Sequence, residues 1–179
     1  DWRRWSAALR EPGNPAVRDF ARQQAQAVDF HVFLQWLAAR GLAQAQQTAR
    51  ASGMAIGLIA DLAVGTDPTG SHAWSRQQDI LSRLSPGAPP DIHNPRGQSW
   101  GLTAFSPRAW QRHGYGAYLD MLGASLAHAG GLRIDHALGL ARTGLVPEGA
   151  SAADGAFLHY PTDDLLGLIA LEAHRHRAV

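Results

Sequence analysis

The chain has 179 residues, of which 45% are hydrophobic and 17% charged; its net charge is +1 and it contains no cysteine. That apolar content can fill a sizeable core, while interspersed acids and bases give no electrostatic basis for a nucleic-acid or anionic-membrane partner. Disulfides and thiolate metal sites are excluded, no run approaches transmembrane length, and Asp1 to Ser6 lacks the apolar region of a signal peptide, so a cytoplasmic protein is expected.

Asn14 followed by Pro15 predicts an N-cap and first helical position, opening a helix through Ala21 or on to Val28. A long helical stretch follows over Phe30 to Ser52, carrying Phe33, Leu34, Trp36 and Leu37, with Gly41 as a point of bending and Gly53 as its C-cap. Ile56 to Ala60 reads as a buried strand. From Leu62 to Arg112, Gly, Pro and Ser recur with little periodicity, which predicts a long functional loop or small insertion. Tyr115 to Ala129 returns to helical spacing through Tyr118, Leu119, Leu122 and Leu126, closed by Gly130-Gly131. A strand over Leu132 to Asp135 comes next, then an irregular stretch with Pro147-Glu148-Gly149. The last helix is expected to be capped at Thr162, with Asp163 and Asp164 in its first turn and His174, Arg175, His176 and Arg177 in its last. Strand, helix, strand, helix argues an α/β fold with a parallel sheet.

The segment Leu132-Arg133-Ile134-Asp135-His136 carries the chemistry. Side chains alternate along a strand, so Arg133 and Asp135 share a face while Ile134 packs on the other. A strand-end carboxylate held ionised by a neighbouring guanidinium suits the nucleophile of a retaining glycosyl transfer. Asp61 also follows an apolar strand. Other motifs fail: Gly65 to Gly70 has the glycine spacing of a phosphate loop, but Ser71 stands where lysine is required and Pro68 removes a backbone donor. The nine histidines include no His-Glu-x-x-His, and His174 and His176 point to different helix faces, so they read as solvated helix-end groups. Glu148, in a turn, and Glu172, within a helix, read as surface or cap residues.

Four segments resemble, in order and spacing, the 4-alpha-glucanotransferases (amylomaltases, or disproportionating enzymes): Ile56-Gly57-Leu58-Ile59-Ala60-Asp61-Leu62-Ala63-Val64-Gly65, Gly87-Ala88-Pro89-Pro90-Asp91, Gly97-Gln98-Ser99-Trp100-Gly101-Leu102 and Gly131-Leu132-Arg133-Ile134-Asp135-His136. The resemblance runs from about Phe30 to the C-terminus. It implies a partial TIM (β/α)8-type barrel, with 1–179 a fragment of one catalytic domain and 62–112 a loop or inserted subdomain covering the substrate. It further implies Asp135 as nucleophile with Arg133 beside it, and Asp61, Asp91, Gln98, Trp100 and His136 as contacts to a maltooligosaccharide or other alpha-1,4-glucan. The implied activity is transfer of glucan segments by double displacement, without metal or organic cofactor. An eight-stranded barrel needs about 200 residues at least, and neither the family's acid/base glutamate motif nor its later His-Asp pair occurs here. The expectation is therefore a central slice of a larger domain, and the alternative is a catalytically incomplete or degenerate glucan-binding fragment. Hydrolysis of the same bond is a third option. Gly41, His72, Thr103, Thr143 and Gly144 depart from the family's pattern and mark where the loop or the acceptor side of the cleft could be loosened.

Overall fold

The computed structural model describes residues 1–179. Four helices precede or flank the first strand: α1 (Ala7–Arg10), α2 (Pro15–Gln23), α3 (Ala25–Ala51) and, after β1 (Ile59–Leu62), α4 (Ser71–Ser75). There follow β2 (Ile80–Leu81), β3 (Leu84–Ala88), β4 (Gln98–Ser99), β5 (Ala104–Phe105), α5 (Pro107–Arg112), α6 (Gly116–Leu126), β6 (Gly131–Ile134), β7 (Arg142–Pro147), β8 (Ala156–His159) and α7 (Thr162–His176). No helix is long and apolar enough to cross a membrane.

Asn14 caps α2 as its sequence predicts, its Oδ1 accepting from the Ala16 N–H at 3.0 Å. The chain breaks at Gln24 rather than running to Val28, and α3 then passes through Gly41 without interruption and ends before Gly53, which takes the left-handed conformation at φ +90°. Neither α2 nor α3 buries a residue; Phe30 stays 57% and Trp36 50% exposed.

The first strand is displaced from its expected place. Instead of Ile56 to Ala60 it covers Ile59–Leu62, and of these only Leu62 is buried. Gln46 of α3 causes the shift: its Oε1 accepts from the Leu58 N–H at 2.6 Å and its Nε2 donates to the Ile56 carbonyl at 3.1 Å. With Gly57 at φ +78°, residues 56–58 are held by a helix side chain rather than a ladder.

The parallel arrangement is confined to β1 and β6, which pair with Asp61 opposite Arg133 and Leu62 opposite Ile134. All other pairing is antiparallel: β2 with β5, and a four-stranded sheet in the order β4-β3-β7-β8. The segment expected as irregular from Leu62 to Arg112 thus holds two helices and four short strands, and two of those strands join a sheet completed by β7 and β8. β7 and β8 escape a periodicity reading because Gly144 and Pro147 interrupt the first and the second is only Ala-Phe-Leu-His. Thr162 is not a cap: Pro161 precedes the helix, and the Thr162 hydroxyl donates to the Tyr160 carbonyl at 3.4 Å.

The core lies under the parallel pair. Leu62, Phe105, Trp110, Ala117, Tyr118, Leu122 and Leu165 form one buried cluster, so α6 and α7 pack together beneath β1. Tyr160 donates to the Phe105 carbonyl at 2.9 Å, tying β8's exit to β5. Asp79, 1% exposed, is held by His113 Nδ1 at 2.6 Å. Glu172 also departs from expectation: it is buried, with Arg175 Nη1 donating to it at 2.7 Å, and the His176 ring lies over it with Nε2 3.6 Å from a carboxylate oxygen.

Gly130 does not close α6 with a positive φ. It serves instead as the point of closest approach between the two strand entries: its N–H donates to the Leu58 carbonyl at 2.8 Å, and a Cβ there would lie 1.9 Å from the Ile56 carbonyl oxygen. Gly130→Ala must therefore push β6 from β1, and we expect a loss of about 1–3 kcal/mol or more in urea unfolding of the chain. A second expectation concerns pH. Burial holds His72 below its usual value of 6.5, opposed by Asp120 and Asp79 and aided by Arg76. The unfolded chain then binds a proton that the folded chain refuses, so stability is full above 6.5 and declines as pH falls through and below it. His72→Gln should flatten urea stability between about pH 7 and pH 5 relative to wild type.

Candidate active site

Period-two geometry and register together assemble one charged group. Arg133 and Asp135 are two residues apart along one strand direction, and Asp61 lies opposite Arg133 on the neighbouring parallel strand, so the three side chains share a face. Arg133 Nη1 donates to Asp61 Oδ2, and Arg133 Nη2 donates to Asp135 Oδ1 at 3.0 Å. One guanidinium thus bridges two carboxylates at the carboxyl end of the pair. Asp61 belongs to β1 itself rather than following it, as the sequence suggests. The Asp135 N–H still donates to the Leu62 carbonyl at 3.1 Å, so the carboxylate is positioned by a ladder bond. Water reaches all three side chains: Arg133 is 62% exposed, Asp61 56% and Asp135 51%.

His136 turns the chain off the strand. It adopts φ 48°, a left-handed conformation uncommon for a residue with a side chain. The turn sets its ring edge-on to Trp100, with centroids 5.1 Å apart. Trp100 Nε1 in turn donates to Gln98 Oε1 at 2.8 Å, and the Trp100 N–H to the Pro86 carbonyl at 2.9 Å. Gln98 is therefore in a regular strand, not on an irregular segment, and Trp100 immediately follows it. Gly87 permits this seating, since a Cβ there would stand 2.1 Å from the Gln98 carbonyl oxygen. Asp91 behaves differently: its Oδ1 accepts from the His93 and Asn94 N–H groups at 2.7 and 2.6 Å, and its own N–H bonds to Asn94. Its carboxylate caps its own turn.

A cavity of about 60 Å³ opens beneath Asp135 and His136, and its walls include Trp110, Tyr118 and Tyr160. It has room for a few waters and not for a sugar ring. Tyr118 Oη and Trp110 Nε1 are buried without a partner in the protein, so water there would satisfy both. Burial pushes the Tyr118 hydroxyl up to about 12 and the Tyr160 hydroxyl higher still, so both remain donors at neutral pH. The helical spacing reads Tyr118 only as one position of an apolar stripe, and the structure buries its hydroxyl there with no protein partner.

Over residues 1–179 the chain matches the sequence profile of the family described as 4-alpha-glucanotransferase. It belongs to that family. Relatives named 4-alpha-glucanotransferase from Mycobacterium tuberculosis and Haemophilus influenzae are 42% and 35% identical over 179 residues, all of this chain and 25% of each relative. The chain thus spans about a quarter of the length of the curated relatives it matches. Among solved structures, the amylomaltase from Corynebacterium glutamicum is 39% identical with a TM-score of 0.83, covering 87% of this chain and 22% of that one. The amylomaltase from Streptococcus agalactiae in complex with acarbose superposes with a TM-score of 0.84 over 99% of this chain and 37% of that one; at 17% identity it speaks for the fold alone. The α/β arrangement described above is accordingly an amylomaltase-like one.

The exposed Asp61–Arg133–Asp135 group is expected to contribute little to folding of this chain, because exposed ion pairs gain about 0–1 kcal/mol each. Arg133→Leu removes both pairs and should shift the urea unfolding free energy by no more than about 2 kcal/mol. A loss of about 3 kcal/mol or more would mark the group as a buried network instead.

Proposed function

We propose that this chain supplies the nucleophile-bearing part of a 4-alpha-glucanotransferase that moves alpha-1,4-glucan segments between maltooligosaccharides by a retaining double displacement. The observation that carries the reading is the single guanidinium bridging Asp61 and Asp135 at the carboxyl ends of adjacent parallel strands, with Trp100, Gln98 and His136 beside it. Ligand chemistry in β/α barrels belongs at that end of the strands, and the proposed fold of the whole domain is a (β/α)8 barrel in which β1 and β6 are neighbours. Residues 62–112 would then contribute the cover over the glucan.

In the first displacement a carboxylate oxygen of Asp135 attacks the anomeric carbon, the bond to the leaving glucan breaks, and an acid protonates the departing oxygen. In the second, the hydroxyl of an acceptor glucan attacks the glycosyl ester, gives its proton to the same acid/base group, and frees Asp135. Two inversions retain configuration. Arg133 fixes the orientation of Asp135, Asp61 accepts a sugar hydroxyl, His136 donates to one, and the Trp100 ring covers an apolar sugar face. Asp91 joins this set only if its turn releases the carboxylate on binding.

The acid/base group calls for a carboxyl about 5 Å from the nucleophile. The chain's glutamates are Glu11, Glu148 and Glu172. Glu11 sits at the end of α1, Glu148 is occupied with Arg83 at 3.4 Å and Glu172 is enclosed by Arg175 and His176, and none of the three lines the cavity beneath Asp135. This favours the second reading for the chain by itself: a glucan-binding segment without turnover.

Two experiments check these readings. Purified chain incubated with maltotriose should release no glucose and build no longer oligomers. Grafted in place of the corresponding quarter of the 42% identical mycobacterial relative, it should support transfer on maltotriose, and Asp135→Asn should reduce that rate at least about 10⁴-fold. Transfer retained within tenfold in the Asp135→Asn graft would remove Asp135 from the mechanism.

A further inference from the structure

A cavity of about 460 Å³ lies away from the charged group: none of Asp61, Arg133 and Asp135 lines it. Its volume falls in the range of small-molecule sites, about 300–1,000 Å³. Its walls come mainly from four places in the chain: Trp2 and Arg3 at the N-terminus, the stretch around β2 and β3, the stretch from Ser99 to Thr103, and the turn after β7 that carries Glu148.

The chemistry of the lining selects a class of ligand. Arg83 is neutralised by Glu148 at 3.4 Å, and Arg3 is forked onto Asp1 at 3.0 Å through both Nε and Nη2. Each cation therefore has its own carboxylate, and the cavity offers no uncompensated charge to a phosphate or carboxylate ligand. What remains is a neutral surface rich in both donors and acceptors. Ser82 and Ser99 give hydroxyls that do either, Glu148 accepts and Arg83 donates. Trp2 adds an aromatic wall, and its orientation is fixed because Nε1 donates to the Pro68 carbonyl at 3.0 Å. A neutral polyol with alternating hydroxyls and C–H faces matches that combination.

The cavity is also connected to the site described above. Ser99 and Gly101 line it, whereas Gln98 and Trp100, alternating with them, hold the side of His136. The segment is stitched to β3 by the Gly101 N–H donating to Ser85 Oγ at 2.9 Å and by Trp100 to Pro86. A ligand in the cavity would brace the reverse face of the strand that seats Trp100.

We propose that this cavity between the N-terminal turn, β3 and the Glu148 turn is a second glucan-binding site that takes a neutral stretch of alpha-glucan about two sugars long. The choice of glucan over other neutral polyols rests on the proposed function. The test is a titration of the 179-residue chain with maltotetraose, followed by the indole N–H resonances of Trp2 and Trp100 in nuclear magnetic resonance. Saturable movement of the Trp2 signal, abolished by Ser99→Phe and weakened about tenfold by Glu148→Gln, supports the second site. Ser99→Phe should leave any Trp100 response in place. Movement of Trp100 without Trp2 overturns the second site while leaving the proposed function standing; movement of neither overturns the second site. Equal movement of Trp2 with sorbitol overturns the assignment to glucan.

Discussion

Everything at the charged group follows from one constraint, the in-register parallel pairing of β1 with β6. Opposed residues in a parallel pair point to the same side, so Asp61 meets Arg133 only because Ile59 sits opposite Gly131. A shift of one residue would send either side chain into the core face. Two features upstream hold that register. Gln46 satisfies the polar groups of residues 56–58, and Gly130 lets the two strand entries approach to a distance no other residue tolerates.

Stability and chemistry occupy opposite sides of this pair. Beneath it, Leu62, Tyr118, Leu122 and Leu165 pack into one buried cluster, and burying such side chains contributes about 1.5–3 kcal/mol each. Above it, three charged side chains remain about half in water, where their mutual attraction is weak. Their carboxylates and guanidinium hydrogens therefore stay available for exchange with a ligand's hydroxyls. The left-handed His136 belongs to the same division of labour, since the strain it carries brings its ring to Trp100 instead of continuing the strand.

The placement of the charged group was more legible in the sequence than the fold. Arg133 and Asp135 share a face by alternation alone, and the apolar run before Asp135 locates the end of β6, whereas the run before Asp61 places β1 too early. What alternation does not contain is the partner register, so the Arg133–Asp61 contact needed the resemblance or the structure. Asp91 shows the limit from the other side: in sequence it looks like a free carboxylate on a loop, yet backbone N–H groups two and three residues ahead claim its oxygen. The antiparallel sheet went unread because its strands are short and broken by Pro86, Gly87 and Gly144, which erase the period-two signal while the ladder still forms. Glu172 went unread because burial of a charged helix residue depends on Arg175 and His176 folding back over it.

The central claim is that the carboxylate on the turn after β6 forms the covalent bond. It can be tested with an α-maltotriosyl fluoride blocked at its non-reducing end, since fluoride departs without an acid and the blocked sugar cannot serve as acceptor. The segment, carried in the 42% identical relative, is treated with this reagent, digested and sequenced by mass spectrometry. The account predicts one maltotriosyl ester, on the peptide containing Asp135 and assigned to that residue. An ester on Asp61, or on any carboxylate outside the Leu132–His136 segment, would contradict it.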